Sequence, residues 1–393
     1  MTKLADTHLF RPFRLRGVTI PNRIVVAPMQ MYEAEDGLAN DWHLAHLGRF
    51  ALARAGLVFT EVLCVEPRGR STYRDCGIWK DAHVAPLRRI ADLLRRCGSV
   101  PGAQIGHCGP KAARQKPWDG LRPLGSEDAA HGEPPWRPVA STAEPSAEGY
   151  HVPEALSLQE IARVIDAFGQ GARRCNDAGF DVLDIHAAHG YLVHTFLSPV
   201  ANKRADAYGG NLMGRMRFAL EIAEAIRVHW PKEKPILFRL SCIDRIDQGW
   251  EMEDTLVLAK ELRARGIDAI DCSSGGIRGA NSLAVFDRIG GPPPGYQVPF
   301  AAEVRAKLAM PTMAVGLITD PHHAERILAE GQADLIAVGR EALYDPNWPL
   351  HAAITLAGRQ DSQRQFGYWP PNYGWWLQYR EKQQARRGDA ISN

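Results

Sequence analysis

Residues 179–191, GFDVLDIHAAHGY, decide the fold of this chain. A glycine opens the segment, and the run at 180–185 is mostly apolar without a helical period, which predicts a buried strand of a parallel sheet. Two imidazoles and a phenol, those of His186, His189 and Tyr191, follow this strand. Because parallel α/β proteins place catalytic groups at the carboxyl ends of their strands, the segment also predicts the position of an active site.

The same pattern recurs along the chain. A helical segment ends in a small residue plus glycine or a substitute, and a short apolar run then ends in polar or glycine residues, as is usual for αβ loops. Four segments share it: ARAGLVFTEV (53–62), DAGFDVLDIH (177–186), ARGIDAIDCSS (264–274) and EGQADLIAVGR (330–340). Four more strands are predicted in IVVAP (24–28), PGAQIGH (101–107), ILFRLS (236–241) and TMAVG (312–316). Eight strands alternating with helices predict an α/β protein with a (β/α)8 TIM barrel; the alternative, a doubly wound sheet, lacks its GxGxxG fingerprint after the first strand.

Three segments lie outside the strand count. Residues 9–22 alternate around Gly17 like a hairpin, which we expect to plug one end of the barrel. The Pro-, Gly- and Trp-rich residues 112–150 follow the third strand and predict a lid or binding loop. We expect one domain over residues 1–393, with its core at about 24–355.

The third segment is the C-terminal tail, residues 356–393, which is rich in aromatic side chains between 366 and 380. One interpretation is a stack that seals the barrel exterior or forms a subunit interface, so a homo-oligomer is predicted. The other brings Trp375 or Trp376 to a substrate pocket.

Composition excludes several classes of protein. With 47 basic and 45 acidic residues and no long Lys/Arg run, the chain has no surface typical of nucleic-acid binding. No apolar stretch is long enough for a membrane span, and the polar start has no signal-peptide core, so a cytoplasmic location is predicted. The seven scattered cysteines lack CxxC spacing, which fits reduced thiols better than disulfides or a zinc site.

The last two predicted strands indicate a phosphate site. AVGLITD (314–320) and AVGREAL (337–343) have glycines at the strand ends, Gly316 and Gly339, and the second adds Arg340. Loops after strands seven and eight of such barrels bind phosphate through backbone N–H groups, and an arginine can add a bidentate contact. The plainer alternative is that the glycines permit tight turns and that Arg340 pairs with a surface carboxylate.

Gln104 and Arg239 lie on two other predicted strands that are well separated in sequence. A glutamine offers a donor and an acceptor to the edge of a pyrimidine-like ring, and a buried arginine would stabilise an anion. Phosphate at one side, with a cation and an amide at the other, suits a flavin mononucleotide whose reduced ring is anionic.

The histidine pair has three interpretations. As metal ligands, His186 and His189 lack a third partner with convincing spacing. They could also be core histidines satisfied by their neighbours. The preferred interpretation is a pair of N–H donors that polarise a substrate carbonyl, with Tyr191 as a nearby acid.

Together these segments resemble the Old Yellow Enzyme family of NADH:flavin oxidoreductases, and in particular its bacterial xenobiotic-reductase-like ene-reductases. The resemblance rests on LFRPFRLRGVTIPNRIVVAPM (9–29), GYL-x4-FLSP-x2-NKRADAYGG (190–210), DCSSGG (271–276) and the two glycine-ended strands. It implies non-covalent FMN at the barrel mouth, reduction by NADPH or NADH, and transfer of hydride from flavin N5 to the β-carbon of an α,β-unsaturated carbonyl.

The resemblance also implies residue roles. His186 and His189 would hold the substrate carbonyl, Tyr191 would protonate the α-carbon, and Tyr32 would line the pocket beside Trp375. The residues expected to border FMN are Pro28, Met29, Gln30, Val62, Gln104, His186, Arg239, Gly316, Gly339 and Arg340. This chain departs from the subgroup at Gln30 (usually cysteine), Ala27 (serine), Val62 (a smaller residue), Pro110 (arginine) and Gly214 (asparagine), which bears on redox potential and substrate range.

Two alternatives to an ene-reductase remain. A dienoyl-CoA reductase or demethylase relative has the same fold, but usually carries a cysteine-rich iron–sulfur segment and a further domain. From another class comes a flavin-free barrel acting as a binding or scaffold protein, which would purify without FMN.

Overall fold

The computed structural model describes residues 4–277, 290–358 and 366–391, and its centre is a closed barrel of eight strands. In chain order the strands are Ile24–Val26 (β1), Leu57–Cys64 (β2), Val100–Gly106 (β3), Val182–Ala187 (β4), Ile236–Ser241 (β5), Ala269–Ser273 (β6), Thr312–Ala314 (β7) and Leu335–Val338 (β8). Each strand pairs in parallel with the next, and β8 pairs with β1. The predicted (β/α)8 barrel is confirmed, and the doubly wound sheet is wrong.

Helices surround the barrel. Their bounds are Asp41–Leu52 (α1), Val84–Arg96 (α2), Ser126–Ala130 (α3), Leu158–Asp177 (α4), Leu192–Leu197 (α5), Leu212–His229 (α6), Met252–Ala264 (α7), Val298–Leu308 (α8), Pro321–Ala329 (α9), Arg340–Tyr344 (α10), Trp348–Ala357 (α11) and Pro371–Ile391 (α12). Helix α4 shows why such segments are helical: Ser157 and Glu160 form a capping box at its start. Ile161, Val164 and Phe168 then recur at helical spacing and are all buried.

The predicted N-terminal hairpin closes the amino-terminal end of the barrel. Phe13–Leu15 pairs antiparallel with Val18–Ile20. Leu15 and Ile20 are buried in the cluster that fills the barrel interior. That cluster also contains Leu57, Val182, Ala269 and Leu335, each at the start of its strand. The hairpin therefore plugs the amino-terminal end of the barrel.

The register of the strands brings the predicted polar residues to that carboxyl end. His186 on β4 lies opposite Arg239 on β5, and Gln104 on β3 lies opposite Asp184 on β4. An irregularity in β2 between Phe59 and Val62 shifts its pairing with β3, so Val62 lies beside Gln104.

The loop predicted after the third strand contains regular structure of its own. It includes a 3-10 turn at Pro117–Asp119, helix α3, and a two-residue strand, Val139–Ala140, that pairs with Glu154–Ala155. Residues 359–365 of the predicted tail lie outside the described residues, and α12 follows them. Across the described ranges, no helix has both the length and the apolar character needed to cross a bilayer.

Candidate active site

A cleft of about 530 Å³ opens at the carboxyl ends of the strands. This volume is in the range of small-molecule and cofactor sites. Its lining includes seven of the residues predicted from the sequence: Pro28, Met29, His189, Arg239, Gly316, Gly339 and Arg340. The cleft therefore joins the predicted phosphate end to one of the two predicted histidines.

At the phosphate end, Gly316 is required for two reasons. Its φ of +123° lies in a region that side chains disfavour, and a Cβ there would lie 3.0 Å from the Tyr296 ring. Arg340 begins α10 and is exposed, and it forms no ion pair within the described parts of the chain. Among the described residues no carboxylate pairs with Arg340, and the contact of its guanidinium with a phosphate stays a prediction.

A network of buried charged and amide groups lies below the cleft. Arg239 Nε is 3.3 Å from Asp271 Oδ2, and Gln104 Nε2 donates to Asp184 Oδ2 at 2.6 Å. Burial raises the pKa of Asp184 to about 7, and the nearby Asp271 adds to this shift. Gln104 Oε1 is buried without a hydrogen-bond partner, so it is a free acceptor at the base of the site.

His186 and His189 are hydrogen-bonded to each other. His186 Nδ1 accepts from the Ala188 N–H, so its Nε2 carries the proton and donates to His189 Nδ1 at 3.1 Å. His189 Nε2 in turn donates to Ser273 Oγ at 2.6 Å. Burial lowers the pKa of both rings well below its ordinary value, so both are neutral.

This arrangement refines the prediction of two parallel donors. Each histidine does present an N–H group, but in the described structure the N–H of His186 is bonded to His189. A carbonyl oxygen that accepts from both rings would have to replace this bond, with His189 releasing Ser273. The sequence could not show the bond because it depends on the tautomer of each ring.

Tyr191 stacks on His186, with the ring centroids 4.4 Å apart and the planes inclined by 24°. Burial raises the pKa of the Tyr191 phenol well above its ordinary value; nearby Cys108 adds to the shift, and Arg114 opposes it. The phenol is therefore protonated at ordinary pH and can serve as a proton donor. Burial likewise raises the pKa of Tyr32, whose ring meets the edge of Trp118 in the loop after β3.

The turn between His186 and Tyr191 is fixed by buried hydrogen bonds. His189 has a φ of +60° and Gly190 a φ of +73°, so the turn needs external support. His194 Nδ1 accepts from the Gly190 N–H at 2.8 Å, and His194 Nε2 donates to Asp244 Oδ1 at 2.8 Å. Both side chains are fully buried.

A lysine supports the same turn from the other side. Lys111 Nζ donates to the backbone oxygens of His189 at 2.7 Å and Gly276 at 2.5 Å. Burial lowers the pKa of Lys111 to about 8. Gly276 must be glycine because a Cβ there would lie 2.6 Å from the His189 Cα atom.

Gln30, Val62 and Trp375 are not among the residues that line the cleft. Gln30 Oε1 accepts a hydrogen bond from the Val62 N–H at 3.2 Å, and Gln30 Nε2 is buried without a hydrogen-bond partner. Trp375 on α12 is 57% exposed and stacks on Tyr379, with the ring planes inclined by 3°. The assigned roles of Gln30, Val62 and Trp375 stay predictions.

Sequence reasoning missed some residues of the site. Lys111 is not among the predicted residues, and no spacing signal links it to the histidine turn. Tyr296 and Gln297 line the cleft from the segment before α8, and Gln297 accepts from Ser273 and Ser274. They lie far from any predicted strand end, so only the fold brings them to the site.

Comparison with known proteins identifies close relatives. Residues 8–358 match the NADH:flavin oxidoreductase / NADH oxidase family. The chain is 40% identical over 353 residues to an NADPH dehydrogenase of Geobacillus sp. (strain WCH70), which covers 89% of this chain and 95% of the relative. It is 38% identical over 350 residues to the NADPH dehydrogenase of Bacillus subtilis (strain 168), and this alignment covers 88% of this chain and 95% of the relative.

Solved structures have the same architecture. Morphinone reductase superimposes with a TM-score of 0.72 at 25% identity, covering 91% of this chain and 92% of its own. An old yellow enzyme homologue from Zymomonas mobilis gives a TM-score of 0.69 at 25% identity, covering 87% and 91%. Both likenesses extend over nearly the whole of the chains compared.

Proposed function

Because the chain belongs to the NADH:flavin oxidoreductase / NADH oxidase family, also known as the Old Yellow Enzyme family, we propose that it is an ene-reductase. It is an NAD(P)H-dependent flavin oxidoreductase with FMN as cofactor. The proposal concerns its substrates: α,β-unsaturated carbonyl compounds, whose C=C bond is reduced. The observation that carries it is the stack of the protonated Tyr191 phenol on His186, which is hydrogen-bonded to His189.

The residues present fit FMN. The free Gln104 Oε1 acceptor and the Arg239 cation suit the polar edge of a flavin ring, which can become anionic. At the other end of the cleft, the Gly316 and Gly339 backbone and the Arg340 guanidinium suit a phosphate. A buried acceptor, a partly buried cation and an exposed cation thus follow one another in the order that the cofactor requires.

Three groups would act on the substrate. His186 and His189 would donate N–H groups to the carbonyl oxygen and stabilise the negative charge that develops there. FMN supplies the hydride that the β-carbon receives. Tyr191 would give its proton to the α-carbon; its raised pKa keeps the proton in place until the carbon becomes basic enough to take it.

Arg340→Met is expected to weaken FMN binding by roughly tenfold, because a charge-assisted hydrogen bond to phosphate contributes about 1.5 kcal/mol at an exposed position. Quenching of flavin fluorescence during titration of the apoprotein measures the dissociation constant. Arg326→Met, an equal change of charge on the outer helix α9, is the control. Equal affinities for the two variants would remove Arg340 from the phosphate site.

His186→Ala is expected to weaken binding of a para-substituted phenol by roughly tenfold or more, since a phenolate oxygen would take the place of the substrate carbonyl and lose a charged hydrogen bond. The readout is the long-wavelength charge-transfer band that a phenolate over a flavin produces. The parent enzyme must first show this band. If the His186→Ala variant then binds the phenol with the same affinity, the phenol does not bind at the histidines.

The substrate class itself is tested under anaerobic conditions. Protein reduced with NADPH is mixed with a cyclic α,β-unsaturated ketone, and the return of the oxidised flavin spectrum is followed. Recovery of one saturated ketone per flavin supports the proposal. Reduced enzyme that oxygen reoxidises but that no unsaturated carbonyl compound does would overturn it, while the flavin oxidoreductase assignment would stand.

A further inference from the structure

A second cluster of chemically active side chains lies outside the cleft. His43 comes from the first turn of α1, Glu61 from β2, and Cys76 from the loop after β2. All three are buried, and their ligand atoms lie within 4.8 Å of one another. Neither the proposed reaction nor the flavin site uses them.

The spacing suits a tetrahedral metal ion. His43 Nε2 lies 3.3 Å from Cys76 Sγ and 3.9 Å from Glu61 Oε2. Ligand bonds of about 2.0–2.3 Å to zinc place neighbouring ligand atoms roughly 3.3–3.7 Å apart. All three ligand atoms lie within 4.8 Å of one another, so shifts of about an ångström or less would bring them around one ion.

Hydrogen bonds already orient two of these ligands. Asn40 lies next to His43 Nδ1, with its Oδ1 at 3.0 Å and its backbone N–H group within 3.2 Å. The Asn40 N–H donates to Nδ1, so Nε2 carries the proton when no metal is bound. A metal at Nε2 would require the ring to carry its proton on Nδ1 and donate it to Asn40 Oδ1, which is the arrangement usual for ligating histidines. Glu61 is held by the N–H groups of Met31 and Cys76, at 3.0 and 3.2 Å.

The charges of the cluster also suit a divalent ion. Burial lowers the pKa of His43 to about 4, so the ring is neutral, as a ligand must be. Burial raises the pKa of Glu61 to about 8 and that of Cys76 well above its ordinary value. A Zn²⁺ ion bound by the Glu61 carboxylate, the Cys76 thiolate and a neutral His43 ring would leave the cluster uncharged overall.

A small cavity of about 10 Å³ includes all three residues in its lining. This is about the space that one water molecule requires. We propose that His43, Glu61 and Cys76 bind Zn²⁺, with one water molecule as the fourth ligand. Thiolate, imidazole and carboxylate ligands together favour zinc over magnesium or calcium.

Such a site would stabilise the wall of the flavin cleft. Glu61 accepts from the Met31 N–H, and Ala27 and Met29 line both the small cavity and the cleft. A zinc ion would link α1, β2 and the loop after β2 to this wall. Cysteine spacing did not indicate the site, because its three ligands come from separate segments with only one cysteine among them.

The test is the zinc content of the purified holoenzyme after incubation with ZnCl₂ at pH 8 and desalting, measured by inductively coupled plasma mass spectrometry. One zinc per chain is expected, and less than a tenth of that in Cys76→Ala and His43→Gln. His46→Gln and Cys175→Ala are the controls, since both remove a buried side chain that lies outside the cluster, and both should keep the zinc. Bound FMN reports that each variant is folded.

Proton release gives a second measurement that needs no variant. Because zinc binds the Cys76 thiolate and so displaces the thiol proton, its dissociation constant in chelator-buffered solution should fall at least about tenfold between pH 6 and pH 7. Parent enzyme that retains no zinc would overturn the proposal and leave a hydrogen-bonded, protonated cluster. Zinc that is lost in Cys108→Ala but kept in Cys76→Ala would overturn it too, because Cys64, Asp75 and Cys108 form the other buried group with ligand spacing. Neither measurement depends on the proposed substrate class.

Discussion

Tyr191→Phe is expected to slow the oxidation of the reduced enzyme by an unsaturated ketone about 100-fold or more, because a positioned general acid contributes about 10²–10⁴-fold. The rings of Tyr191 and His186 are stacked with their centroids 4.4 Å apart, and a phenylalanine ring can keep this stack. The substitution therefore removes only the hydroxyl group. Anaerobic stopped-flow absorbance, which follows the flavin spectrum, measures this half-reaction by itself.

The reductive half-reaction is the internal control. Reduction of the flavin by NADPH needs no proton from Tyr191, so its rate should stay within about threefold of that of the parent enzyme. Tyr32→Phe is the matched variant, since it removes a second partly buried phenol on the Trp118 side, and it should slow the oxidation far less. An unchanged oxidative rate in Tyr191→Phe would assign the proton donor to another group or to water.

Asp244→Ala is expected to lower the free energy of unfolding by about 3–5 kcal/mol, since it leaves several buried donors without an acceptor. The carboxylate accepts from His194 Nε2 at 2.8 Å, Ser198 Oγ at 2.6 Å and the Trp250 N–H at 2.8 Å. Denaturant unfolding followed by tryptophan fluorescence measures the loss. Ser198→Ala removes one of these donors together with its bond, and is expected to cost about 1 kcal/mol.

The pH dependence of the same group has a definite sign. Burial alone would raise the pKa of Asp244, but His194 and the hydrogen bonds from Ser198 and Trp250 bring it below its ordinary value. Its stabilising contribution is therefore present above the unfolded pKa of about 3.9 and is lost as the pH falls through the lower folded value. If Asp244→Ala lost no stability at pH 7, the buried network would not support the turn at Gly190.

Much of the fold was predictable because its signals are local. Glycine followed by a short apolar run marks a barrel strand wherever it occurs, and the residue after that run lies at the carboxyl rim. His186 was found in this way, whereas Arg239 and Gln104 were found on strands predicted from their short apolar runs alone. The hairpin at 9–22 was equally local, with its alternation around Gly17.

The parts that were not predictable depend on contacts between distant segments. Lys111 reaches the His189 oxygen across 78 positions of the sequence, and His194 reaches Asp244 across 50. The direction of the hydrogen bond from His186 to His189 follows from the Ala188 N–H, which no residue pattern encodes. The metal cluster, which combines one histidine, one glutamate and one cysteine, likewise has no linear signature.

The plugged amino-terminal end of the barrel has a practical consequence for using the enzyme on a solid support. Leu15 and Ile20 close that end from within, while neighbouring Thr19 is exposed on the outer surface of the hairpin. A tether attached at Thr19 would hold the molecule by the end opposite the cleft. Immobilised in this orientation, the protein would have the open end of its cleft facing the bulk solution, and reactants would not have to diffuse past the support.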